Sequence, residues 1–124
     1  YFFIFLFTDH NELFGNIYKD LGEHFDLLVE KSIVLSGDES CACPILLSKS
    51  VAKIFQDYQS PVNKKNEEII DMSIDIITSI INSLTEVYDF FESKGYLTLG
   101  LDDLLTSFAN KYEQYLYFLV QRSK

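Results

Sequence analysis

Apolar residues recur at spacings of three and four along three long stretches of this chain, a period that predicts helices. The first stretch runs from Asn11 to Leu35. Leu13, Phe14, Ile17, Tyr18, Leu21, Phe25, Leu28 and Val29 form one stripe that the fold is expected to bury. Glu12, Asn16, Lys19, Glu23, Asp26 and Glu30 form a second, polar and mostly acidic stripe on another side. Asp26 and Glu30 are one turn apart, so their carboxylates leave neighbouring points of one face. Asp9 is the expected N-cap and Gly37 the expected stop. Gly15 and Gly22 lie inside the helix, where each costs about 1 kcal/mol against Ala. They suggest that another backbone packs close there.

Residues 37–43 (GDESCAC) are expected to form a loop. Pro44 is placed to open a short helix through ILLSKSVAKIF. DYQSPVN (57–63) is a break, with Pro61 as stop and Asn63 as a candidate cap. The second long helix is expected over 64–93, carried by Ile69, Ile70, Ile74, Ile77, Ile80, Ile81, Leu84, Tyr88 and Phe91. Glu67, Glu68 and Asp71 suit its N-terminal dipole, and Lys94-Gly95 its end. Thr98 should cap the last helix, with Asp102 and Asp103 in its first turn. Leu101, Leu104, Leu105, Phe108, Tyr112, Leu116 and Leu119 supply that helix's stripe. Three long helices and a short one, each apolar on one side, predict an all-α bundle. With no linker or repeat, residues 1–124 read as a single domain. The fourth long helix that closes such a bundle is expected upstream of Tyr1.

Composition narrows the function. With 48% hydrophobic and 15% aromatic residues the chain is not of the disordered class. No apolar run reaches the roughly 18 residues of a membrane span. Tyr1–Phe7 is apolar but short, and lacks the basic flank and cleavage site of a signal peptide. The net charge of −9 disfavours a phosphate backbone as partner. The bases Lys64-Lys65 and Arg122–Lys124 are too few to reverse that, so DNA binding is not expected. The acidic excess suits either simple solubility or the collection of cations. Cys41 and Cys43, in Cys-Ala-Cys, lack the second pair of a structural zinc site and read as loop thiols of a cytoplasmic protein. No Ser-His-Asp or Cys-His set and no glycine-rich phosphate loop is visible.

The order of elements and several residues resemble the Dps-type mini-ferritins. A long helix, a glycine stop, a short Pro-opened helix in the crossover and two further long helices follow that family's plan. HNELFGNIYKDLGEHFDLLVEKSIVLSG resembles its second helix, with Glu12, Phe14, Tyr18, Phe25, Asp26, Glu30, Lys31 and then Gly37 in place. DLLTSFANKYEQYLYFLVQ (103–121) resembles its last helix. The resemblance implies a ferritin-like four-helix bundle with the short helix in the long crossover and the first helix truncated or missing. It also implies a hollow homo-oligomer, a dodecamer, that binds, oxidises and stores iron.

In that family an Asp and a Glu join two His of a two-fold-related subunit in an intersubunit ferroxidase site. Asp26 and Glu30 match the two acids. The second His position is Asn11, with His10 one place earlier and a candidate third ligand; the first falls before Tyr1. Carboxylate and imidazole both suit iron, whereas Asn is a weak neutral donor, so catalysed oxidation depends on His10. The plainer reading of Asp26 and Glu30 is a solvated face beside Lys19 and Lys31. His24 reads as a surface or interface residue, and Glu67, Glu68, Asp71 and Asp75 as a wet helix start or an acidic cage lining. The alternative function is non-enzymatic, a helical module that takes a partner's amphipathic helix in an apolar groove.

Overall fold

The computed structural model describes residues 11–57 and 59–124. Among them the chain is all-helical and has no strand. It comprises α1 (Asn11–Ser36), a 3-10 turn (Glu39–Ala42), α2 (Pro44–Phe55), α3 (Asn66–Ser93) and α4 (Leu99–Arg122). The expected cap Asp9 and candidate ligand His10 lie outside the described residues. The chain divides into two compact units, Tyr1–Val62 and Asn63–Lys124. No helix among the described residues is long and apolar enough to cross a membrane.

In the first unit α1 ends as its sequence demands. Gly37 takes φ +70°, and its N–H donates to Ile33 O at 2.8 Å, the left-handed close that glycine allows. The stretch after it is more ordered than the expected loop. Asp38 Oδ1 accepts from Ser40 N at 2.9 Å and starts the 3-10 turn. That backbone hydrogen bond, with one from the Ser40 side chain, holds the Asp38 carboxyl below its ordinary pKa. Cys43 O then accepts from Leu47 N at 3.0 Å, and Pro44 stands first in α2 as expected.

The long stripe of α1 is only partly buried. Leu13, Phe14 and Ile17 are enclosed, and Leu21, Leu28 and Val29 are half-covered. Tyr18 and Phe25 are 45% and 49% exposed, against expectation. Periodicity marks which face is apolar, not how far along it another element reaches. Within this unit α2 is short, and the 3-10 turn makes the main contacts with both helices.

Gly22 also departs from expectation. A Cβ built there meets nothing within 4 Å, so no close backbone accounts for the glycine. Gly22→Ala should therefore stabilise the protein by about 0.5–1 kcal/mol, read as a raised urea midpoint with unchanged slope.

The second unit is a hairpin of α3 and α4. α3 stops in a Schellman arrangement, with Tyr96 N donating to Phe91 O at 2.9 Å, Gly95 N to Glu92 O at 3.1 Å, and Gly95 at φ +72°. Thr98 Oγ1 accepts from Leu101 N at 3.1 Å and caps α4, as its position suggested. Asn63 is not a cap: it turns the chain at φ +63°, which Asn tolerates, and Lys65 holds the N-cap position of α3 without a side-chain bond.

The buried face of α4 is Leu101, Leu105, Phe108, Tyr112, Tyr115 and Leu119, an alternating four-three spacing. Tyr115 takes the buried place expected of Leu116, which is half-exposed. α3 answers with Ile69, Ile70, Ile77 and Leu84. The buried Ser73 satisfies its hydroxyl on Ile69 O at 2.8 Å.

Candidate metal centre

Asp26 and Glu30 stand one turn apart on the exposed middle of α1. Both line one open groove of the first unit, with Phe25 and Val29 of α1, Ala42 of the 3-10 turn and Leu47 of α2. The α-helical spacing brings the two carboxylates to the same groove. The glycine stop and the capped 3-10 turn fold the chain back so that Ala42 and Leu47 form the other wall. Neither acid makes an ion pair among the described residues, so Lys19 and Lys31 do not neutralise them there.

The donor set is hard oxygen, which suits a divalent ion. It is also incomplete. Among the described residues no group of three or more His, Cys, Asp or Glu side chains could hold a metal. Two carboxylates supply too few donors for a six-coordinate ferrous ion. His10 lies outside the described residues, and Asn11 opens α1. Among the described residues the arrangement is therefore only part of a site.

The other candidate residues are dispersed. Glu67, Glu68, Asp71 and Asp75 are exposed along the start of α3, where Lys64 Nζ lies 3.7 Å from Glu68 Oε2. Cys43 is a part-exposed free thiol at the junction of the 3-10 turn and α2. His24 is half-exposed on α1.

One pair escaped the sequence reading. Tyr88 Oη donates to Asp102 Oδ2 across the α3–α4 hairpin at 3.5 Å, the long limit of a hydrogen bond. Asp102, then desolvation, then Glu92 push the Tyr88 phenol above its ordinary pKa, because each disfavours the phenolate. Tyr88 belongs to the apolar stripe and Asp102 to the first helical turn, so each had a sufficient local explanation. The available signal was register, since the two residues flank a five-residue loop (94–98) at similar distances.

No family model matches this chain, and neither a curated protein nor a solved structure matches it.

Proposed function

We propose that this protein is a Dps-like oligomer that binds ferrous iron between subunits, oxidises it with peroxide or oxygen, and stores the product inside a hollow dodecamer. One observation carries the reading. Asp26 and Glu30 are exposed, one turn apart, and open onto a single groove. That is the form a half-site takes when a second copy must supply the remaining ligands. The carboxylates would hold Fe2+ as terminal or bridging ligands, with His10 as a third donor. The helix order α1, α2, α3, α4, with α2 short and opened by Pro44, supports the reading, being the order expected of the later helices of a ferritin-like bundle. The exposed aromatic side chains of Tyr18 and Phe25 on α1 are the apolar area that a subunit contact would cover.

The test compares the wild-type chain with Asp26→Ala/Glu30→Ala. Size is measured by light scattering, then ferrous ion is titrated anaerobically and peroxide added. Wild type should run as a large assembly, bind ferrous ion and accelerate its oxidation. The double variant should assemble equally and lose at least tenfold in ferrous affinity. Unchanged uptake and oxidation in the variant would remove these acids from any iron site. A wild type that runs as a monomer and ignores iron would overturn the whole reading.

A further inference from the structure

The α3–α4 hairpin carries a second groove, unrelated to Asp26 and Glu30. It is lined by Leu84, Thr85 and Tyr88 of α3 and by Leu105, Thr106 and Ala109 of α4. Leu84 and Leu105 are almost wholly buried at its floor, and Thr85 and Thr106 stand exposed on its banks. The groove offers little hydrogen bonding. Thr85 Oγ1 donates to Ile81 O at 3.0 Å, and Thr106 Oγ1 to Asp102 O at 2.7 Å, so both hydroxyls turn back to their own helices. What remains is an open, apolar furrow wide enough for a side chain.

Its end towards the 94–98 loop is strongly acidic. Tyr88 closes that end and donates to Asp102 at 3.5 Å. Asp102, Glu92 and Asp89 all act electrostatically on the Tyr88 hydroxyl. Residues 85–103 hold five carboxylates, Glu86, Asp89, Glu92, Asp102 and Asp103, against the single base Lys94. Lys94 lies over the Phe90 ring, 6.0 Å from its centroid.

Apolar walls ending in uncompensated carboxylates define the chemistry of the occupant. An apolar side chain fills the furrow and a cation beside it meets the acids. A second copy set acid end to acid end would be repelled and brings no cationic segment matched to these acids, and an anionic lipid surface is repelled by the same charge. We infer that the α3–α4 groove docks a cationic amphipathic helix of another protein, its apolar side chain over Leu84 and Leu105 and its Lys or Arg against Asp102 and Glu92. Binding is independent of iron, and it weakens with added salt because the acid end is open to solvent.

The probe is a synthetic 18-residue helix of leucine and lysine, added to the full chain and followed by calorimetry and by amide NMR shifts. Its counterpart with glutamate for lysine is the control. The Leu/Lys helix should bind and shift the amides of Thr85, Tyr88, Thr106 and Ala109, and the Leu/Glu helix should not bind. Asp102→Asn/Glu92→Gln should weaken binding at least tenfold, and Ala109→Phe, which fills the furrow, should do the same; thermal melts confirm that each variant is folded. Glu67→Gln/Glu68→Gln/Asp71→Asn removes three charges at the far end of α3 and should leave affinity within twofold. Equal losses in that variant and in Asp102→Asn/Glu92→Gln would reduce the effect to bulk charge and overturn the proposal. Self-association through the groove, or binding to phosphatidylserine vesicles in place of the peptide, would overturn it too.

Discussion

Leu119→Ala should destabilise the α3–α4 unit by about 2–5 kcal/mol. Leu119 is fully buried near the end of α4, on the face that also carries Tyr112 and Tyr115. Truncation removes three buried carbons and leaves a cavity. The surrounding helices close it only in part, because packed interiors behave like crystals rather than oil. Neither hairpin end compensates: the Gly95 turn and the Thr98 cap lie at the other end of α4. For a unit of this size each kcal/mol lowers the melting temperature by about 4–8 °C. Circular dichroism melts of the full chain read the shift. Leu99→Ala is the control, since Leu99 is 91% exposed and its truncation should change stability by no more than about 0.5 kcal/mol. Equal shifts in the two variants would mean that the hairpin core is not where the buried face of α4 places it.

The ease of reading this hairpin from sequence has a physical cause. Its determinants are local. Thr98 caps, Gly95 takes the left-handed turn, and a short loop forces two amphipathic helices back on each other. Each signal is written within a few residues of where it acts. Tyr115 was missed because Leu116 looks more apolar; the strict four-three spacing of the buried face, not hydropathy, selects Tyr115. The site is less legible for the opposite reason. Spacing alone puts Asp26 and Glu30 on one groove, but Ala42 and Leu47 reach it through the 3-10 turn after Gly37. That turn depends on an Asp38–Ser40 hydrogen bond inside a stretch that reads as a polar loop. The Tyr88–Asp102 contact depends on register across the hairpin, which composition does not encode.

The same distinction separates two phenylalanines of one stripe. Phe14→Ala should cost about 3–5 kcal/mol, because Phe14 is fully buried on α1 and an aromatic leaves the larger cavity. Phe25→Ala should cost less, about 1–2 kcal/mol in the isolated chain, because half of Phe25 already meets water and only the rest of its area is lost. Sequence periodicity assigns both the same fate, so the pair isolates what tertiary cover adds to an amphipathic pattern. Urea unfolding of both variants at low protein concentration reads the difference directly. Raising the concentration adds a second axis. If copies associate over the Asp26–Glu30 groove, Phe25 becomes buried in the contact, and mass action makes wild type gain stability that Phe25→Ala does not. Phe14→Ala should stay destabilised by the same amount throughout. A Phe25→Ala deficit that never grows with concentration would place the groove outside any contact between copies. Asp26 and Glu30 would then remain a wetted face, with no second copy to complete their ligand set.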